Sequence, residues 1–216
     1  MKIALIIENS QAAKNGIVHE ALTSVAEPLG HEVVNYGMYT PEDAAHLTYP
    51  MNGLLAGILL NSGAADFVVT GCGTGTGSML ACNAMPGVFC GLIIDPTDAF
   101  LFAQINDGNA VALPYAKGFG WAAELNLQDC FNKLFDGESG LGYPKERAAV
   151  MKKNRGILAD LKAATCHDMV SVLKNVDQDL LRTAISGEHF AEYFYPASKD
   201  DAISDYLKSL NADAPA

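Results

Sequence analysis

The sequence contains no cysteine pattern that would indicate a disulfide framework or a zinc module. Its five cysteines, at positions 72, 82, 90, 130 and 166, are odd in number and lack CxxC or Cys/His finger spacing. A reducing compartment fits this usage best. The apolar opening run, Ile3 to Ile7, is shorter than the apolar region of a signal peptide or a membrane span. We therefore expect a cytoplasmic protein with no membrane partner.

Positive charge is also scarce. Fourteen Lys and Arg stand against 25 Asp and Glu, which gives a formal net charge of −11. A nucleic-acid partner is not expected, because binding to phosphate backbones needs a basic surface. Hydrophobic residues make up 50% and charged residues 18% of the chain, which is typical of a globular protein. A length of 216 residues allows one well-buried domain and an appendage.

Short apolar runs alternate with helical patterns over the first two thirds of the chain. Strands are predicted at residues 3–7, 31–36, 66–70, 89–94 and 110–113, and helices at 11–29, 50–60, 78–83, 98–106 and 121–134. This alternation predicts an α/β fold, a Rossmann-like three-layer sandwich whose five-stranded parallel sheet carries helices on both faces. Ligands of such sheets bind at the carboxyl ends of the strands.

The last third of the chain reads as helical. A glycine-rich loop at residues 137–142 precedes a long predicted helix at 145–162, and shorter helices are predicted at 168–176, 179–185 and 201–210. We expect residues 1–162 to form the main domain and residues 163–216 a helical extension. The extension carries no catalytic motif, so we expect it to serve packing or oligomerisation, on a neighbouring subunit.

The third predicted strand leads into a loop with glycine at every second position, Gly71 to Gly77, before a predicted helix. Glycines accept positive φ and let a ligand approach the main chain, so successive N–H groups can converge on one anion. Cys72 lies just before the helix N-terminus, where the dipole and the amides favour the thiolate. Most free cysteines are small core residues, and we assign the other four to that class; the position of Cys72 favours a base or nucleophile.

The glycine loop is compatible with three chemistries. A dinucleotide fingerprint would need G-x-G-x-x-G spacing, which the sequence matches poorly. A phosphatase loop would need arginine where the chain has Ser78. In the third, Cys72 is a proton-transfer base and the loop amides form an oxyanion hole for an enediolate.

The sequence resembles the family of ribose-5-phosphate isomerase type B and the galactose-6-phosphate isomerase subunits over roughly residues 1–155. The matching segments, in order, are Met1 to Asn9, Tyr49-Pro50, Cys72 to Ser78, Ala81 to Asn83, Pro86-Gly87, Asp95 with Ala99 to Leu101, Asn106 to Val111, and Gly137 to Arg147. The resemblance implies an aldose-ketose isomerase that needs no metal or organic cofactor. It also implies a site built between two subunits, and hence a homodimer or homotetramer.

The resemblance assigns roles to individual residues. Cys72 would shuttle the proton between C1 and C2, and Thr74 would assist with ring or hydroxyl protons. The substrate would be held by the residues that match the family's binding positions, namely Asn9, Tyr49, Gly73, Gly75, Thr76, Gly77, Asn106, Lys117 and Arg147.

Several departures from the family pattern concern the substrate. Where the family has Asp-His after the first strand, this chain has Glu8-Asn9, and Ile105 replaces the ring-opening histidine. Of the phosphate-clamping segment only Arg147 is kept with certainty. The sugar is therefore expected to be unphosphorylated, already open-chain, or bound with its anionic group elsewhere, for example by Lys14, His19 or His46.

Glu8 closes the first strand beside the thiol, where its carboxylate can either take over hydroxyl proton transfer or simply cap the next helix. The leading hypothesis is a sugar or sugar-phosphate isomerase acting through Cys72, Thr74 and Glu8. The alternative is a non-catalytic sugar-phosphate or nucleotide-binding module on the same scaffold, and a nicotinamide-dependent oxidoreductase ranks third.

Overall fold

The structure is a computed structural model that describes residues 1–212, and their side chains through residue 210. The strands are β1 (Lys2–Ile7), β2 (Glu32–Asn35), β3 (Phe67–Cys72), β4 (Cys90–Leu92) and β5 (Ala110–Pro114). All pair in parallel in the order β2-β1-β3-β5-β4. The predicted five-stranded parallel sheet is confirmed. Its order reverses between β1 and β3, the switch point at which such sheets bind ligands.

The helices are α1 (Asn15–Ala26), α2 (Tyr49–Asn61), α3 (Thr76–Asn83), α4 (Pro96–Leu101), α5 (Ala123–Phe135), α6 (Ala148–Thr165), α7 (Met169–Asn175), α8 (Gln178–Ile185), α9 (Phe190–Ala197) and α10 (Asp201–Ala212). The prediction of one helix over residues 11–29 is wrong, because a 3-10 turn, Asn9–Lys14, precedes α1. The aromatic-rich α9 was not predicted. Residues 213–216 of the predicted extension lie outside the described residues.

The alternation of side chains along the strands builds two cores, one on each face of the sheet. In β5, Ala110 and Ala112 face one core while Val111 and Leu113 face the other. The first core lies against α2, α3 and the C-terminal helices, and the second against α1, α4 and α5. The three-layer arrangement therefore follows from strands that are apolar on both faces.

Helix α2 is buried along most of its length, from Met51 to Leu59, because it lies between the sheet and the C-terminal helices. Leu173, Phe190 and Phe194 belong to the same core as Leu55 of α2. The extension thus buries apolar side chains against its own chain, and its expected packing on a neighbouring subunit stays a prediction. Among the described residues, no helix is long and apolar enough to cross a membrane.

A close contact between α2 and α3 gives a stability test. A Cβ on Gly53 would lie 2.4 Å from the carbonyl carbon of Ala81, so we expect Gly53→Ala to lower the free energy of unfolding by about 1–3 kcal/mol. Gly16→Ala in α1 is the matched control, since nothing lies within 4 Å of its Cβ position. It should be neutral or stabilising by up to about 1 kcal/mol. Equal effects of the two substitutions in urea unfolding would contradict the close packing.

Candidate active site

The candidate site lies where β3 passes into α3 at the carboxyl edge of the sheet. Cys72 ends β3 opposite Pro114 of β5, and its carbonyl accepts the Tyr115 N–H at 2.9 Å. Gly75 makes the turn into α3 with φ +75°, and a Cβ there would lie 2.6 Å from Leu92 Cδ1. A side chain at Gly71 would meet the Leu113 carbonyl oxygen at 2.3 Å. Glycine at these two positions is therefore what allows so short a connection.

The loop surrounds the sulfur of Cys72 with polar groups. Burial opposes ionisation of this thiol, which is only 9% exposed, but N–H groups of Ser78, Thr74 and Gly75 and the Ser78 hydroxyl act against burial. The net result is that the pKa of Cys72 lies below the usual value for cysteine. The Ser78 side chain is fully buried beside this thiol, and the described residues offer its hydroxyl no other partner. The site thus favours a thiolate.

Most amides of the glycine loop remain available to a ligand. Between Gly73 and Gly77, only the Gly75 N–H donates to a carbonyl of the described chain, that of Cys72 at 3.3 Å. Tyr49, the first residue of α2, places its ring against Gly77, since a Cβ there would lie 3.2 Å from Tyr49 Cδ2. The Tyr49 side chain is 48% exposed. The loop is therefore an open array of N–H donors with an aromatic ring beside it.

Glu8 and Asn9 follow β1, the neighbour of β3, at the same edge. The buried Glu8 carboxylate accepts the Ser10 N–H at 2.9 Å and the Ser10 hydroxyl at 2.6 Å. It thereby caps the 3-10 turn, as one of the two sequence interpretations held. The Asn9 N–H donates to the Leu47 carbonyl at 2.8 Å. A role for Glu8 in proton transfer stays a prediction.

The segments after β1 and β5 also contact the loop. The N–H groups of Ala116 and Lys117 both donate to the Gly73 carbonyl, at 3.0 and 2.9 Å, which places exposed Lys117 at the site. Sequence reasoning did not single out Gln11, whose Nε2 lies 3.7 Å from where a Cβ of Gly73 would be. Its position just after a strand at the switch point is the signal that could have identified it.

Two predicted site residues, Asn106 and Arg147, lie elsewhere in the chain. Asn106 precedes β5, whose first residue pairs with Val68, whereas Cys72 lies at the other end of the strand, about 13 Å away at 3.3 Å per residue. Arg147 follows a loop whose Gly140 and Gly142 N–H groups donate to the carbonyls of Ala103 and Gln104. These carbonyls lie close to Asn106 in the chain. One chain therefore does not bring these two residues to Cys72.

The chemistry available at this edge is that of a thiolate beside amide donors. Such a group can remove a proton next to a carbonyl, while the N–H groups hold the oxyanion that forms. Within residues 1–212, no three His, Cys, Asp or Glu side chains are grouped so that they could hold a metal ion.

Comparison with known proteins identifies the family. A family model described as Ribose/Galactose Isomerase matches residues 3–134, and one described as Ribose-5-phosphate isomerase matches residues 164–210. The chain is similar to a 4-deoxy-L-threo-5-hexosulose-uronate ketol-isomerase whose crystal structure was solved with a tartrate. The identity is 58%, the match covers 98% of this chain and 100% of that one, and the TM-score is 0.96.

The chain is also similar to a structure from Vibrio parahaemolyticus named ribose-5-phosphate isomerase. This match has 53% identity, covers 97% of this chain and 99% of that one, and has a TM-score of 0.95. Ribose-5-phosphate isomerase B from Clostridium thermocellum, at 21% identity and a TM-score of 0.60 over 77% of this chain, shares the fold. With the family model matching more than half of its length, the chain belongs to the ribose/galactose isomerase family of sugar isomerases.

Proposed function

We propose that this protein is an aldose-ketose isomerase in which the Cys72 thiolate moves a proton between adjacent carbons. The thiolate removes the proton from C2 of the aldose, and the electrons of the C–H bond form an enediolate with the C1 oxygen. The thiol then returns the proton to C1, which gives the ketose with no net oxidation. The observation that carries the proposal is the set of donors around a cysteine of lowered pKa.

The loop amides supply the electrostatic part of the reaction. The N–H groups of Gly73, Thr76 and Gly77, which donate to no carbonyl among the described residues, hold the enediolate oxygens. Thr74 and Glu8 move the hydroxyl proton between O1 and O2. The reaction is balanced without an electron acceptor, so neither a metal nor an organic cofactor is part of this proposal.

The substrate we propose is an open-chain 4-deoxy-5-keto-hexuronate, the class acted on by the relative that is 58% identical. Such a molecule has no hydroxyl at C4 and a ketone at C5, so it cannot close a sugar ring on C1. An enzyme for it needs no ring-opening acid, which agrees with Ile105 at the family's histidine position. The partial loss of the phosphate clamp also favours a uronate over ribose 5-phosphate.

We propose that two chains complete each site. Helix α6 has 18 residues of which none is buried, and its exposed side chains include Val150, Ile157, Leu158 and Leu161. An apolar face of this size on a water-soluble fold favours an interface with a second copy. Asn106 lines a cavity of about 190 Å³ together with Met151 and Leu158 of this helix. In a homodimer or homotetramer, Asn106 and Arg147 would reach the partner's Cys72.

Turnover in deuterated water tests the reaction. With 4-deoxy-L-threo-5-hexosulose uronate, we expect deuterium at C1 or C2 and a loss of kcat of about 10²–10⁴-fold in Cys72→Ala, because the proton carrier is gone. The control is Cys166→Ala, which should keep full activity. Cys166 is a half-exposed cysteine at the C-terminal end of α6. Exchange that survives Cys72→Ala would contradict the mechanism. Faster turnover of ribose 5-phosphate would contradict the substrate, and sugar binding without turnover would favour the binding module.

The pH dependence of Cys72 alkylation tests the electrostatics. Donors that stabilise the thiolate let the thiol lose its proton at lower pH, so the iodoacetamide rate should reach half its maximum below about pH 8.5, the usual cysteine value. Ser78→Ala removes one donor and should move this midpoint upward. Mass spectrometry of the Cys72 peptide separates its labelling from that of the other cysteines. A midpoint above pH 8.5 in the unmodified sequence would be incompatible with the proposal.

Subunit complementation tests the shared site. Cys72→Ala and Arg147→Ala should each be inactive, but an equal mixture after subunit exchange should recover about one quarter of full activity, because half the dimers are mixed and each holds one intact site. A mixture of Cys72→Ala with Cys72→Ser is the control and should stay inactive. Failure to recover activity, with exchange verified by native mass spectrometry, would place the whole site in one chain.

A further inference from the structure

The 3-10 turn after β1 fixes Lys14 at the carboxyl edge of the sheet. Its ammonium donates to Gln11 Oε1 at 2.8 Å and to the Tyr115 carbonyl, and lies 4.8 Å from the centre of the Phe119 ring. The side chain is half-buried, and no carboxylate lies within 4.0 Å of this ammonium in residues 1–212. Lys14 is thus a positioned cation whose charge is not neutralised by the chain.

Cationic side chains are scarce at this edge of the sheet. The segments that leave the five strands, residues 8–14, 36–48, 73–78, 93–98 and 115–122, contain Lys14 and Lys117 but no arginine. Of the two lysines, Lys117 is exposed, whereas Lys14 is held by two neutral oxygens. An ammonium group has three donors, so one N–H remains. A partly desolvated cation of this kind is stabilised by an anion that supplies the missing partner.

Lys14 and Cys72 both contact the main chain of Tyr115, so a hexuronate is long enough to bridge them. The Tyr115 carbonyl accepts from Lys14, and the Tyr115 N–H donates to the Cys72 carbonyl at 2.9 Å. These links place the ammonium within about 10 Å of that carbonyl. An extended hexuronate spans about 6 Å from C1 to the carboxylate carbon, and a hydrogen bond adds about 3 Å. A substrate with C1 and C2 beside Cys72 can therefore place its carboxylate near Lys14.

We infer that Lys14 binds the carboxylate of the substrate and selects uronates over phosphorylated sugars, an inference that rests on the proposed function. The single N–H left on Lys14 suits a carboxylate, whereas a phosphate dianion is bound by more donors, commonly from arginine. Gln11 is a positioning residue, because its Oε1 orients the ammonium while its Nε2 donates to Ser10 Oγ at 3.0 Å. The turn that Glu8 caps thus carries the group that recognises the far end of the substrate.

Steady-state kinetics of Lys14→Met test this inference. For 4-deoxy-L-threo-5-hexosulose uronate we expect KM to rise about tenfold to a hundredfold, the effect of losing one charge-assisted hydrogen bond, while kcat changes by less than about threefold. The methyl ester of the same uronate should show no change in KM. Lys14→Arg should restore most of the affinity for the acid. Lys133→Met, at an exposed lysine of α5, is the matched control and should behave as the unmodified protein.

Tartrate binding to the Cys72→Ala protein separates this inference from the proposed function, since calorimetry needs no turnover. Adding Lys14→Met to that protein should weaken tartrate binding at least tenfold, and this loss supports the anion site even if no sugar is isomerised. Unchanged tartrate binding, or an equal rise of KM for the acid and its methyl ester, would overturn the inference. If Lys14→Met does not fold, Gln11→Leu provides the second variant, with a smaller rise of KM for the acid alone.

Discussion

The tight turn that carries the chain from β3 into α3 around the Cys72 sulfur is the constraint from which most of this structure follows. The N–H groups of Thr74, Gly75 and Ser78 lie close enough to the Cys72 thiol to lower its pKa because the chain leaves β3 and enters α3 within a few residues. That path requires positive φ at Gly75, and it brings Gly71 against the Leu113 carbonyl. A side chain at Gly71 or Gly75 would overlap its neighbours. Both the turn around Cys72 and the packing of β3 on β5 therefore require glycine at these positions.

Helix α2 connects this loop to the rest of the molecule. Its buried Asn52 donates to Thr70 Oγ1 at 2.9 Å, and Thr70 in turn donates to the Ile6 carbonyl at 2.7 Å, which ties α2 to β3 and β1 beneath the site. The same helix presents Tyr49 to Gly77. Since the C-terminal helices cover the opposite side of α2, they determine where α2 sits on the sheet. The extension can therefore influence the site without contributing a residue to it.

The sequence was most informative where function depends on local structure. The strand, glycine loop and helix around Cys72 follow one another directly, so the placement of a cysteine among amides could be predicted from residues 65–83. Glu8 as a cap was one of two interpretations, because a carboxylate followed by Ser10 has that local partner available. These features depend on contacts within a few positions along the chain, which spacing and residue type can reveal.

Other features depend on contacts that spacing does not encode. Helical periodicity over residues 11–29 placed Lys14 and Gln11 on a long helix, whereas the 3-10 turn aligns residues three apart and brings their side chains together. Asn106 and Arg147 were named from the family pattern, but their proposed role at Cys72 needs a second chain, which residue spacing cannot place. The packing of the extension on α2 of its own chain could not be predicted from sequence alone, because α2 is apolar on all sides and offers no single face to match.

The proposed anionic substrate would approach a chain of net charge −11, and local geometry would decide the outcome of this electrostatic conflict. At physiological ionic strength the Debye length is about 8 Å, so the distant surface carboxylates act weakly inside the site. Amide donors and an ammonium at contact distance act in a partly desolvated pocket, where each interaction is stronger than in water. In the proposed site the acidic surface would therefore affect mainly the rate of encounter, which salt would raise, while the loop amides and Lys14 would determine affinity.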